Sequence, residues 1–511
     1  MKKILTLITA LLLCGQVLAV PAKPRTWKVT QSDGTTVTVT LRGDENYHYY
    51  LTTDGVPLVM NDDGTFTYAV AQDGLLRSSG LLAHDADGRS ANERQFINDN
   101  LGNVADHITA TWSERAARRN QHRIERTIAR RAKAKQAPQK AKIVGEKKGL
   151  VILVNFKDKK MVHSKDEFND MFNQEGYNLN KHIGSVRDYF HKQSYGQFTL
   201  DFDVVGPYEL RYNMENYGGN NSNGSDKDPE SMIIEAVQAA NKDVYYPDYD
   251  WDGDGEVEQV YVIYAGYGEA QAYGILPNTV WPHEFKLSYA NNGYIYTYPN
   301  GVKLDGVKID TYACSNELMG YSGTRMNGMG TACHEFSHCL GLPDYYDTNA
   351  NTSLSTASTN YGMGHWSLMD QGNYNGPSGY EGSVPAGFTS YGRIHAGWIE
   401  PIELDEGCEI TDMPAIIDSP TAYIVYNQGN ANEYFLLENR QKTSWDKNLP
   451  GHGLLVLHVD YNRNVWENNE VNTTKNTRSN NNHQRLTVVP ASNSTNIESI
   501  IPYPGVSGRY T

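Results

Sequence analysis

Cysteine is scarce in this sequence: five in 511 residues, one of which, Cys14, lies in an N-terminal apolar run. The other four, Cys314, Cys333, Cys339 and Cys408, are an even number that permits two disulfides in an exported chain and requires none. A cystine framework is therefore excluded as the basis of the fold. Long apolar runs are lacking too. Beyond the N-terminal run nothing approaches the roughly 20 apolar residues that cross a bilayer, which excludes a transmembrane segment. Positive charge is short in the body of the chain, where residues 149–511 carry 23 Lys and Arg against 45 Asp and Glu. A surface that acidic repels phosphate backbones, so no nucleic acid is expected as a partner. Internal repeats are absent.

What is present begins with Met1-Lys2-Lys3, an apolar run from Ile4 to Leu13, and small residues at Ala19 and Ala22. This is the form of a secretory signal over residues 1–22, cleaved after Ala19 or Ala22, and it makes the protein secreted, with the extracellular medium, cell surface and periplasm all open. Leu13 stands where lipidation of Cys14 would want a small residue. Residues 23–112 read as a small β-rich unit, with strands such as "TTVTVTL" divided by Asp-Gly turns at Asp33, Asp54, Asp63 and Asp73. Residues 113–148 hold 13 Lys and Arg against 3 Asp and Glu. They read as a basic activation segment open to proteolysis or, more plainly, as an interdomain tether. At "GLVILVNFKD" the pattern changes to a buried strand, and helix and strand alternate through 149–400. From 401 to 511 the chain is mostly strand and loop, and it stops at "PYPGVSGRYT" with no closing domain in view, which leaves truncation open.

The chemistry concentrates in "TACHEFSHCLGLPDYYD", residues 331–347. On a helix His334 and His338 share one face at i and i+4, so two imidazoles reach one zinc ion at about 2.0–2.1 Å. Glu335 is placed to take a proton from the attacking water. Gly341 offers a C-terminal stop at positive φ, Pro343 prevents the helix from resuming, and the turn brings Asp344 back as a third ligand with a fourth position open. The plainer readings are a solvated histidine pair, Asp344 as a mere turn residue, and Cys333 and Cys339 as packing residues rather than further ligands. Glu335, Gly341 and Asp344 together at these spacings favour the zinc site.

With "GHWSLMDQGNYNG", "DYFHKQSYGQFTLDFDVVGP", "DYDWDGDGEVEQVYVIYAGYGE" and "YFLLENRQKTSWDKNLPGHGLLVLHVD", this motif resembles the immune inhibitor A family of secreted bacterial metallopeptidases, which belongs with the metzincin-type zinc proteases. The resemblance covers most of residues 23–505. It implies an α+β fold in which a metzincin-like domain with a mixed sheet and an active-site helix follows a small β-rich propeptide. It implies Met369 of "WSLMD" as the methionine turn beneath the metal, and an aspartate as third ligand where metzincins generally carry histidine, which matches Asp344. It also marks residues 23 to about 145 as the propeptide. The expected function is a secreted zinc endopeptidase made as a zymogen, with protein or peptide substrates and its own propeptide as partners. A non-catalytic surface or carbohydrate-binding protein on the same scaffold is the alternative, although such scaffolds usually lose the base or a ligand. A thermolysin-like site would need a glutamate ligand on a later helix.

"DYDWDGDGEVE" sets Asp248, Asp250, Asp252, Asp254, Glu256 and Glu258 on alternate positions around two glycines, the oxygen-rich start of a calcium loop or a solvated acidic turn. In "LRGDE", Asp44 is a candidate to cover the open zinc position in the zymogen, resembling the aspartate switch of astacin-type proteases; a simple turn pair is the alternative. A residue to stabilise the transition state stays open among Tyr374, Tyr391, His365 and His395.

Overall fold

The computed structural model describes residues 26–43, 47–61, 63–111, 142–220, 226–271, 276–289, 300–348, 360, 362–404, 407–475, 477–491 and 502–503. Asp44, the signal 1–22 and most of the basic segment lie outside the described residues.

The first unit is a meander of six strands in sequence order, β1 (Thr26–Thr30), β2 (Thr36–Gly43), β3 (His48–Thr52), β4 (Pro57–Met60), β5 (Phe66–Gln72) and β6 (Leu75–Leu82). Four of its five connections hold the Asp-Gly pairs, and Asp33 and Asp63 each accept the N–H two residues on, closing the turn. A helix, α1 (91–111), packs Val104 and Ile108 on Tyr47, Tyr49 and Leu51; the strand-like pattern of this region did not announce it. The unit rests on the rest of the chain where His48 stacks on Trp281, ring centroids 4.3 Å apart, with its Nε2 3.2 Å from Glu269.

The central sheet runs β10-β13-β9-β7-β8. Its strands are β7 (Gly145–Asn155), β8 (Phe198–Glu209), β9 (Val260–Tyr267), the antiparallel edge β10 (His283–Lys286) and, after the hairpin β11 (Val302–Leu304) and β12 (Val307–Ile309), β13 (Thr311–Leu318). β7 thus starts within the basic stretch and continues through the apolar run. That run is unbroken because both faces are covered. Val151 and Leu153 point into one core, with α2 (Lys165–Asn173), α3 (Val186–Gln193) and α6 (Gly330–Cys339); Leu150, Ile152 and Val154 point into the other, with α4 (Met214–Gly218) and α5 (Pro229–Ala240).

After α7 (Ser390–His395) comes a second sheet in sequence order, β14 (Ile402–Glu403), β15 (Tyr423–Asn427), β16 (Asn430–Arg440), β17 (Gly453–Asp460) and β18 (Leu486–Val488), with α8 (Arg463–Glu467) before its last strand. It is not an independent body. Leu436, Leu455, Leu457, Val459 and Val488 share one core with Cys333 and Phe336 of α6. Charge ties the two together as well. Arg440, fully buried, donates to Asp446 Oδ2 (2.8 Å) and Oδ1 (2.6 Å), to Glu438 Oε1 (3.0 Å), and to the carbonyls of Gly387 (3.1 Å) and Trp366 (3.4 Å). Asp446 and Glu438 in turn accept from Gly387 N–H (3.0 Å) and Ser390 N–H (2.5 Å). Among the described residues no helix is long and apolar enough to cross a membrane, and the four described cysteines are all free, Cys333 packed in the core.

Candidate metal centre

α6 begins hard against the chain that follows the Trp366–Asp370 turn: a Cβ on Gly330 would lie 1.8 Å from the Asn373 carbonyl oxygen, so only glycine fits. From that fixed start His334, Glu335 and His338 are all buried, and they lie close enough together to hold one ion. His334 Nδ1 is 2.9 Å from the Leu368 carbonyl and His338 Nδ1 is 2.7 Å from the Leu342 carbonyl. A carbonyl oxygen only accepts, so each Nδ1 carries the proton and each Nε2 is turned to the site. The helix ends at Gly341, whose φ of +86° reverses the chain. The turn returns Asp344, with Oδ1 3.2 Å from His334 Nε2 and 3.8 Å from His338 Nε2.

The donor set fits a metal cation. The two Nε2 atoms stand 3.1 Å apart, a separation that repels two lone pairs unless a proton or a cation lies between them. Asp344 Oδ1 and both Glu335 oxygens are buried without a hydrogen-bond partner. The electrostatics point the same way. Burial works against a charge on His334, but the Asp344 carboxylate facing Nε2 and the negative charge of Glu335 outweigh it and push the imidazole up to about 9. Burial lifts Glu335 well above the usual carboxylate range; His334 draws it down, while Glu284 and Asp344 add to the rise. Two nitrogens and one carboxylate oxygen form the set expected of zinc.

Around these groups the turn 366–370 acts through its backbone. Leu368 O fixes His334, Met369 O accepts from Tyr345 N–H (2.8 Å), and Met369 itself is buried. Asp370 anchors the turn by accepting from the N–H groups of Met363, Gly364 and Gln371; burial pushes its carboxyl up to about 7 against those bonds. Asn469, which sequence reasoning missed, holds Asp344 at two points: its Nδ2 donates to Asp344 Oδ2 and its Oδ1 accepts from Asp344 N–H, both at 2.7 Å. No local spacing signals it.

The remaining candidates are His365, Tyr374, Tyr391 and His395. His365 bonds Asn375 through Nδ1, Tyr391 packs between Tyr345, His395 and Trp466, and Tyr374 is buried. Of the acidic run, Asp250, Asp252 and Asp254 come together. Asp248 instead meets Lys148 (3.3 Å), Glu256 lies 3.7 Å from Lys308, and Glu258 accepts from Trp251 N–H (2.6 Å).

The family profile described as immune inhibitor A peptidase M6, catalytic domain, matches residues 134–398, a span that includes His334, Glu335, His338, Gly341, Asp344 and Met369 but not Asn469. The chain is similar to the pre-pro-metalloprotease PrtV of Vibrio cholerae serotype O1, 25% identical over 246 residues that cover 44% of this chain and 25% of that protein. It is also similar to immune inhibitor A of Bacillus thuringiensis subsp. alesti, 24% identical over 308 residues that cover 51% of this chain and 42% of that protein. The matches thus span between a quarter and about two fifths of those relatives' lengths.

Proposed function

Because the chain belongs to the immune inhibitor A peptidase M6 family, we propose that it is a secreted zinc endopeptidase, metzincin-like in its catalytic unit, that hydrolyses peptide bonds of proteins. The observation that carries this is the convergence of His334 Nε2, His338 Nε2 and Asp344 Oδ1 beside a buried carboxylate with both oxygens unpartnered.

These three atoms would hold the zinc. Zinc bound there supplies a Lewis acid that polarises the scissile carbonyl and makes water more acidic. Glu335 does the proton work: a free carboxylate oxygen takes a proton from the attacking water, and the same oxygen returns it to the leaving amine nitrogen. Leu368 O and Leu342 O keep the two imidazoles in the tautomer that presents Nε2. Met369 is the methionine turn in this reading.

The proposed organisation is a signal over 1–22, a propeptide over 23–112, an activation segment over 113–148, a catalytic unit over 149–400 and, over 401–511, a strand-rich C-terminal subdomain of the catalytic region. The seat of His48 on Trp281 and Glu269 supports a propeptide that rests on its own enzyme. Asp250, Asp252 and Asp254 are the proposed calcium-facing carboxylates, and latency through Asp44 stays a proposal on a residue outside those described.

The test compares the full chain with its Glu335→Ala variant, counting zinc by elemental analysis and following casein cleavage after trypsin has cut the basic segment. The expected result is one zinc in both proteins and cleavage by the parent alone, abolished by a chelator. Failure of the parent to bind zinc overturns the reading. Zinc bound with casein uncut favours a non-catalytic scaffold.

A further inference from the structure

We propose that Asn469 is the positioning residue that sets Asp344 as the third metal ligand, so that the C-terminal sheet unit completes the metal centre. The proposal rests on the zinc reading above and extends it to a residue 71 positions beyond the end of the family match.

The geometry is a two-point clamp. A side-chain amide offers one donor face and one acceptor face, and Asn469 spends both on a single residue, the carboxylate and the backbone N–H of Asp344. The arrangement fixes the amide's own orientation, since a flipped amide would set oxygen against carboxylate and NH2 against N–H. With Oδ2 taken, Oδ1 is the one carboxylate oxygen left without a hydrogen-bond partner, and it is the oxygen facing both Nε2 atoms. Asn469 thereby selects which oxygen Asp344 presents. An amide suits this task because it is neutral: a lysine would neutralise the carboxylate the metal needs, and an aspartate would repel it.

Asn469 is itself held firmly. It is fully buried at φ +52°, a conformation that asparagine tolerates and most residues do not. Its neighbours clasp the same loop. Asn472 Nδ2 donates to the carbonyls of Tyr345 and Leu486 at 2.7 Å, Thr473 Oγ1 accepts from Thr348 N–H at 2.9 Å, and Thr348 Oγ1 donates to Asn469 O at 3.1 Å. Glu470 secures the far side by accepting from the N–H groups of Arg478 (2.8 Å) and Ser479 (2.9 Å).

The experiment measures zinc affinity by chelator competition on the full chain and on two variants. Asn469→Gly removes the amide while tolerating the positive φ. Asn472→Ala removes an equally buried amide of the same clasp that never touches Asp344. Unfolding midpoints of the metal-free proteins report general loosening. The expected result is a 10–100-fold weaker zinc affinity for Asn469→Gly, the usual loss for a residue that orients a ligand, with Asn472→Ala near the parent. Equal affinity in Asn469→Gly and parent overturns the proposal and leaves the zinc reading intact, as does an equal loss in Asn472→Ala. A parent that binds no zinc overturns both. If the glycine variant does not fold, Asn469→Asp keeps the volume, the φ tolerance and the acceptor, and replaces the donor with a carboxylate oxygen that repels Asp344. Its Co(II) absorption spectrum is expected to depart from the parent's, and an unchanged spectrum overturns the proposal.

Discussion

Arg440→Met puts the union of the second sheet with the segment from Trp366 to Ser390 to a quantitative test. The guanidinium has five N–H groups and five buried acceptors: both oxygens of Asp446, one of Glu438, and the carbonyls of Trp366 and Gly387. Burial disfavours its charge, but Asp446 and Glu438 outweigh burial and hold it cationic. Methionine fills much of the same volume and supplies no donor. It leaves two carboxylates in the core without their cation, and breaking a buried pair from one side costs about 3–5 kcal/mol. Arg440→Lys keeps the charge but loses the planar fork, and should fall between methionine and the parent. Urea unfolding followed by tryptophan fluorescence suits the question, because Trp366 and Trp445 are both buried beside this cluster. A loss below about 1 kcal/mol for Arg440→Met would refute the reasoning. It would mean that water or other donors satisfy Glu438 and Asp446, and that the network does not fasten the second sheet to the segment from Trp366 to Ser390.

Gly341→Ala places a side chain at φ +86° and 3.0 Å from His395 Nε2; a thermal unfolding loss of about 1–2 kcal/mol is expected, with a smaller loss for Gly341→Asn. His182 is buried, and burial pulls it down to about 4 against the bond to Leu179 O. The unfolded chain binds that proton near 6.5, so this contribution to stability is whole above pH 6.5 and lost as pH falls toward 4, on the order of 3 kcal/mol in all. Urea midpoints at pH 7 and 4.5 for the parent and His182→Leu should converge on one slope if burial has no such effect. A chain ended at residue 398, where the family match stops, loses Asn469 and the second sheet's share of the core; it should show no cooperative unfolding and no tight zinc binding. Chelation should stop casein cleavage, and one equivalent of zinc, but not calcium, should restore it.

The helix-borne part of the site was legible because its spacings are local. Residues at i and i+4 share a face on any helix, and Gly341 and Asp344 follow within one turn. Asn469 was not, since no periodicity links an amide to a carboxylate 125 residues away. The acidic run is gathered only in part. Alternate carboxylates suggest one shared focus, but the chain bends at Gly253 and Gly255, gathers Asp250, Asp252 and Asp254, and sends the others to Lys148, Lys308 and Trp251 N–H. Helix α1 was readable and overlooked: Ile97, Leu101, Val104 and Ile108 recur at helical spacing, yet they follow a stretch whose strand pattern dominates.

The 125 residues between Asp344 and its clamp also order events in time. α6 is local and can form as soon as it is made, whereas closing so long a loop is entropically costly and slow. Until residue 469 has emerged and docked, Asp344, the proposed third ligand, is not clamped, even though Leu368 O and Leu342 O are there to hold the two histidines. A nascent chain shorter than 469 residues therefore carries the residues of the proposed peptidase centre without the amide proposed to clamp it.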